Sequence, residues 1–150
     1  MRTYSTLLVI SVVTLFISGL LLSSCNKDEV PPAKPQLSFT ESSMTVNESD
    51  GEIEVKLALD KPTSERFYIT YELDGTATDK VNAGTNPYDY EIKDDYLEAK
   101  IDKDDTVAII KIQLYSDSEL EDDETIQISI KSVDSENIEI TREDDIKITI

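Results

Sequence analysis

Acidic side chains gather at three places along the chain, and their grouping suits the binding of a cation. Glu48 precedes the turn Ser49-Asp50-Gly51, and Asp89 closes a long loop that starts at Asp74. The densest group lies between two predicted strands and comprises Asp117, Glu119, Glu121, Asp122, Asp123 and Glu124. Two carboxylates about 4 Å apart repel by about 4 kcal/mol at an effective dielectric constant of about 20, so carboxylates that meet need a counter-ion. Oxygen ligands of this kind select calcium among the common cations.

The rest of the composition excludes several other kinds of site. The 150 residues include 14 Lys and Arg, 32 Asp and Glu, one Cys and no His. Without histidine there is no Ser-His-Asp or Cys-His catalytic site and no His-ligated zinc, and one cysteine allows neither an internal disulfide nor a cysteine metal cluster. A formal net charge of −18 disfavours binding to nucleic acid or to a bare anionic membrane. We therefore expect one binding or structural domain, and no enzyme.

The first 24 residues have the layout of a secretory signal peptide. Arg2 is followed by an almost wholly apolar run over residues 7–22 and then by Ser23 and Ser24. A membrane-spanning helix is the rival interpretation, but it needs about 20 apolar residues, and this run is shorter. Leu22-Ser23-Ser24-Cys25 resembles the bacterial lipobox, whose cysteine is lipidated. This resemblance implies that Cys25 anchors the protein in a lipid bilayer, the alternative being a secreted protein with a chance cysteine.

The segment after Cys25 is predicted to be a tether. Asn26-Lys27-Asp28-Glu29 resembles the signal that sends lipoproteins of the Bacteroidota to the outer face of the outer membrane, although a plain hydrophilic tether accounts for the same residues. Three of the five prolines lie at positions 31, 32 and 35, and proline favours an extended, semi-rigid spacer. We expect a signal peptide over 1–24, a lipidated Cys25 with a tether over 25–36, and a globular body over 37–150 in the cell envelope.

The body alternates apolar and polar residues with a period of two, which is typical of half-buried strands. The strongest stretches are 53–59, 67–73, 108–114, 126–130 and 146–150, with weaker ones at 37–40, 44–46, 96–101 and 138–141. Turns rich in Asp, Gly, Ser and Asn separate them. This spacing predicts an all-β fold, an immunoglobulin-like antiparallel sandwich of two sheets with Greek-key connections.

Five segments together resemble the Calx-β domain, a module named for the regulatory calcium-binding domains of sodium/calcium exchangers and found in surface adhesion proteins. In chain order they are Val46-Asn47-Glu48-Ser49-Asp50-Gly51, Asp74-Gly75-Thr76-Ala77, Asn82-Ala83-Gly84, Asp89-Tyr90-Glu91 and the acid-rich run from Asp117 to Thr125. The resemblance covers residues 37–150. It implies an immunoglobulin-like sandwich, which agrees with the alternation, and it implies a role in adhesion or surface interaction.

Carried over residue by residue, the resemblance implies calcium ligands at Glu48, Asp89, Asp117, Glu119 (through its carbonyl oxygen), Glu121 and Glu124. The chain departs from the calcium-binding members of the family at two points. Ser116 stands where those members have an acid, and the sequence reaches only Ile150, where their further aspartates begin. If calcium binds, we expect a dissociation constant on the order of 10⁻⁴ to 10⁻³ M, as in extracellular modules.

Two other functions stay open from the sequence. Tyr88 and Tyr90 lie in the long predicted loop and could stack on a sugar ring, as in a glycan-binding accessory lipoprotein of a carbohydrate-uptake system. The third interpretation is an envelope spacer that binds no ligand.

Overall fold

The computed structural model describes residues 32–84, 87–116, 122–141 and 144–150, with only the main chain at Asp95. Residues 33–150 form one unit. The predicted signal peptide, Cys25 and most of the predicted tether lie outside the described residues, as do Asp117, Glu119 and Glu121. In the described part of the chain, no helix is both long enough and apolar enough to cross a bilayer.

Within the described residues, ten strands form two five-stranded sheets that pack face to face. The strands are β1 (Gln36–Phe39), β2 (Ser43–Thr45), β3 (Glu52–Leu59), β4 (Phe67–Gly75), β5 (Tyr90–Ile92), β6 (Glu98–Ile101), β7 (Val107–Leu114), β8 (Thr125–Val133), β9 (Glu139–Ile140) and β10 (Asp145–Thr149). Sheet A has the order β5-β7-β3-β1-β9, and sheet B has the order β2-β10-β8-β4-β6. The predicted all-β, immunoglobulin-like two-sheet sandwich is confirmed. Most neighbours are antiparallel, but β1 pairs with β9, and β2 with β10, in parallel.

The alternating sequence produces the core directly. In β3, Val55, Leu57 and Leu59 are buried between the sheets, whereas Glu54 and Lys56 face solvent. The same alternation in β7, β8 and β10 buries mainly isoleucine, together with Ala108 and Leu114 of β7. Burying one such side chain stabilises the fold by about 1.5–3 kcal/mol. The described residues bury 22 hydrophobic side chains in all, ten of them isoleucine, which gives a core without a disulfide.

The structure corrects the predicted strands at two places. Tyr90, expected in a loop and available to a sugar, is instead buried at the start of β5, with 3% exposure, so its predicted stacking role is wrong. The strand expected from residue 96 begins at Glu98, because Tyr96 and Leu97 adopt positive φ angles of 59° and 55° that no strand accommodates.

The two ends of the sandwich differ in composition. One end, which we call the acidic pole, contains residues 48–51, Asp89, residues 115–116, residues 122–124 and Ile150. The other, the entry pole, contains residues 33–36, 60–66, 102–106 and 134–138. The eight residues of β3 run from the acidic pole to the entry pole, which separates the poles by about 25 Å.

Candidate functional site at the acidic pole

A short 3₁₀ turn, Glu48–Asp50, carries the first predicted ligand. The amide of Asn47 donates to the Asp50 carboxylate at 2.8 Å, and the amide of Asp50 donates to the Asn47 carbonyl oxygen at 2.9 Å. Gly51 ends the turn at φ 75°, in the left-handed region that favours glycine. These contacts fix the turn, and Glu48 is held half-buried at the pole.

Asp89 reaches the same pole through main-chain pairing with the end of β7. The amide of Tyr115 donates to the carbonyl oxygen of Asp89 at 2.8 Å, and the next residue, Tyr90, pairs with Leu114. The carboxylate of Asp89, however, accepts a hydrogen bond from the amide of Thr78. The Asp89 carboxylate therefore stabilises the loop that precedes β5 by accepting a hydrogen bond from within that loop.

Glu124 is the last residue of the acidic segment, which we define as residues 117–124, and it pairs with the end of the last strand, β10. Its amide donates to the carbonyl oxygen of Ile150, and its carbonyl oxygen accepts from the amide of Ile150, both at 3.0 Å. On the other side of β8, the amides of Thr76 and Ala77 both donate to the carbonyl oxygen of Thr125, at 2.9 and 3.0 Å. The acidic segment thus ends at a fixed position at the pole.

A solvent-open cavity of about 440 Å³ lies at the acidic pole. Its lining residues come from the β2–β3 connection, from both ends of the acidic segment and from the end of β10: Thr45, Val46, Asn47, Glu48, Ser49, Ser116, Asp122, Asp123, Thr149 and Ile150. Among the predicted ligands that the structure describes, Glu48 lines this cavity, whereas Asp89 and Glu124 lie at the same pole but are not among its lining residues.

Two carboxylates of the cavity, Asp122 and Asp123, were not among the predicted ligands. Their position was readable from the sequence, because residues two or three places before a strand lie near the end of the sheet where that strand begins, here β8 at Thr125. Ser116 also lines the cavity, where its hydroxyl stands in place of the acid expected from the family.

The donors around the cavity suit a hard cation, because they are carboxylates, hydroxyls and an amide oxygen without His or Cys. In the described ranges, no three Asp, Glu, His or Cys side chains converge closely enough to hold a metal ion. Ser116 and Asp122 bound the five residues 117–121 that lie outside the description, and three predicted ligands are among them. The donor chemistry of the described lining residues therefore fits calcium.

A second polar cluster lies beside the acidic pole and includes Tyr88, the residue expected to contact a sugar. Its ring packs edge-to-face on Tyr115, with ring centroids 4.8 Å apart. The ammonium of Lys80 lies 5.5 Å from the Tyr88 ring centre and 5.7 Å from that of Tyr115. Tyr88 is half-buried and already has both an aromatic and a cationic neighbour, so these contacts stabilise the loop.

Glu91 is the ionic centre of this second cluster. Its carboxylate accepts hydrogen bonds from Lys93, from the Tyr115 hydroxyl at 2.7 Å and from Lys80 at 3.2 Å. These three donors, that of Lys93 foremost, lower the pKa of Glu91 from its usual 4.5 to about 2. Three donors on one carboxylate keep it ionised and tie β5 to the loop before it.

The Calx-beta domain sequence model matches residues 32–149, nearly the whole described part of the chain. The chain belongs to the Calx-beta domain family. Calx-beta domains are non-catalytic regulatory and binding domains. No curated protein sequence matches the chain.

Solved Calx structures share the fold of this Calx-beta domain. The CBD12 structure from CALX1.2 is 24% identical with a TM-score of 0.60, and the match covers 77% of this chain and 43% of that one. The apo-form Calx CBD1 domain is 19% identical with a TM-score of 0.58, and the match covers 78% and 96% of the two chains. The calcium binding domain CBD12 of CALX1.1 is 21% identical with a TM-score of 0.55, covering 76% and 44%. The chain thus spans less than half of either CBD12 structure.

Proposed function

We propose that this Calx-beta domain is a surface interaction module, anchored to a membrane through Cys25, whose acidic pole binds calcium. The observation that carries the calcium part is the cavity at the acidic pole, which draws Glu48, Asp122 and Asp123 from two distant parts of the chain. Family membership supports it, since a solved relative is described as a calcium binding domain. The lipobox-like sequence ending in Cys25 supports the anchor.

In the proposed site, Glu48, Asp122 and Asp123 hold the ion together with the predicted ligands Asp117, Glu119 and Glu121. A bound calcium ion supplies positive charge that cancels carboxylate repulsion and links the loops at the pole. The contribution of the protein is placement, because the Glu48–Asp50 turn and the Glu124–Ile150 pairing fix both sides of the cavity. The loops then present one ordered surface to a partner.

Hydrogen bonds join the described end of the predicted tether, residues 34–36, to the body of the domain. Gln36 donates from its amide to the Asp60 carboxylate at 2.8 Å, and Glu139 donates from its amide to the carbonyl oxygen of Pro35 at 2.9 Å. Lys34 donates to the carbonyl oxygen of Glu136 at 2.6 Å. The predicted tether therefore meets the body at the entry pole. The acidic pole lies about 25 Å from this junction along β3.

Calcium titration by calorimetry tests the site. We expect saturable binding of Ca²⁺ to the wild-type chain and loss of that binding in Asp122→Asn/Asp123→Asn. Asp144→Asn/Asp145→Asn is the matched control, since it removes the same charge at the start of β10, on the entry-pole side of that strand. Equal loss in both double variants would mean that net charge, and no site at the pole, attracts the ion.

The anchor needs a separate experiment. Cys25→Ala should abolish incorporation of a labelled fatty acid and move the protein from the membrane fraction to the soluble one. Protease treatment of intact cells then reports whether the body is exposed at the outer face. A Cys25→Ala variant that stays membrane-bound would contradict lipid anchoring.

A further inference from the structure

The first and last strands of the sandwich are divided between the two sheets in the same way. The chain leaves sheet A after β1 and enters sheet B as β2, and near its end it leaves sheet A after β9 and enters sheet B as β10. In sheet A, β1 pairs with β9 in parallel, and in sheet B, β2 pairs with β10 in parallel. We refer to these two as the terminal strand pairs.

Main-chain hydrogen bonds connect both terminal strand pairs, β1 through its first two residues and β2 along all three of its residues. In sheet A, the amide of Glu139 donates to the carbonyl oxygen of Pro35 at 2.9 Å, and that of Thr141 to Leu37 at 3.0 Å. In sheet B, the amide of Lys147 donates to Ser42 at 3.1 Å, and that of Val46 to Thr149 at 3.0 Å.

The direction of the strands decides how a load acts on these bonds. All four strands of the terminal pairs run from the entry pole toward the acidic pole. Tension applied to the chain just before β1 and just after β10 pulls β1 and β2 toward the entry pole and β9 and β10 toward the acidic pole. The hydrogen bonds lie roughly across the strands and are loaded together, whereas hydrogen bonds at the end of a peeled strand break one after another.

We propose that this sandwich is built to bear tension between its two poles, with the terminal strand pairs loaded in shear. The proposal goes beyond the proposed function, because it concerns a load that leaves the sandwich through the end of β10, whereas pulling on the Glu48 turn would draw β2 toward the acidic pole together with β10. Core packing acts in the same direction. Leu37 and Phe39 of β1 and Ile146 and Ile148 of β10 are almost fully buried, so sliding either strand also pulls these side chains through a close-packed interior.

Single-molecule pulling in two geometries tests the proposal. In the shear geometry, handles are attached to the native thiol of Cys25 and to a cysteine appended after Ile150, in the unlipidated 150-residue chain. In the peeling geometry, the second handle is at Pro62→Cys, an exposed position just after β3 at the entry pole. We expect a several-fold higher unfolding force in the shear geometry. Equal forces would overturn the proposal.

A pair of variants locates the resistance. Val46→Pro removes the amide that donates to Thr149, whereas Ile101→Ala removes core packing from β6 and leaves the terminal strand pairs intact. Compared at equal loss of equilibrium stability, Val46→Pro should lower the shear force much further. Similar losses of unfolding force in the two variants would contradict the proposal that the terminal strand pairs carry the load. The two-geometry comparison stays decisive if Val46→Pro fails to fold, and neither test requires calcium or lipid, so failure here is distinguishable from failure of the proposed function.

Discussion

Glu124 and Ile150 exchange two main-chain hydrogen bonds, each 3.0 Å long, at the point where β8 begins and β10 ends. This pairing brings the end of the acidic segment beside the 3₁₀ turn of Glu48, although 76 positions separate Glu48 from Glu124 in the chain. Three elements meet at the acidic pole because β3 and β8 begin there and β10 ends there. The cavity with Glu48, Asp122 and Asp123 is a consequence of that geometry.

The close approach of Gly75 to β8 predicts a strong effect of a single methyl group. A Cβ atom at Gly75 would lie 2.1 Å from the carbonyl oxygen of Thr125, and its φ is 127°. Gly75→Ala should lower the free energy of unfolding by about 1–3 kcal/mol or more. Gly84→Ala is the matched control, because its φ is 62° but no atom lies within 4 Å of the added Cβ. Denaturant unfolding measures both, and an equal loss would refute the steric explanation.

The buried hydroxyl of Tyr71 should contribute modestly to the free energy of unfolding. Tyr71 is 1% exposed, its hydroxyl donates to the Asp94 carboxylate at 3.0 Å, and burial raises its pKa. Tyr71→Phe should cost about 1 kcal/mol of unfolding free energy. Tyr96→Phe, at a residue that is 91% exposed, should change it by less than about 0.5 kcal/mol. The idea fails if the two variants are equally stable.

The hydrogen bonds to Glu91 predict how the stability of the fold depends on pH. Its folded pKa is depressed to about 2 from the usual 4.5, so its stabilising effect is complete above pH 4.5 and is lost as the pH falls toward 2. The stability difference between wild type and Glu91→Gln should therefore be largest near neutral pH and shrink in that window. Glu54→Gln removes an equal charge from the outer face of β3 and leaves the cluster intact. A Glu91→Gln difference that stays constant from pH 7 to pH 2 would show that the three donors do not stabilise the ionised carboxylate.

The sequence predicted the strands well because alternation reports directly on burial, as in β3 and β7. It missed β5, because these three residues directly follow the long loop and were assigned to it, so Tyr90 looked like a loop residue. It placed Glu48, Asp89 and Glu124 at strand ends, and the structure brings these three to one pole. The direction of the Asp89 carboxylate toward the Thr78 amide depends on a long loop whose conformation no local pattern encodes.

Thermal unfolding in calcium tests the central claim most directly. Unfolding is compared in calcium, in magnesium and in chelator at one fixed ionic strength, which keeps general screening of the net charge constant. At 10–100 times the dissociation constant, one bound ion should add roughly 1.4–2.7 kcal/mol to the unfolding free energy. We predict a higher melting temperature in calcium than in either other condition. Identical curves in all three would contradict a calcium site at the acidic pole.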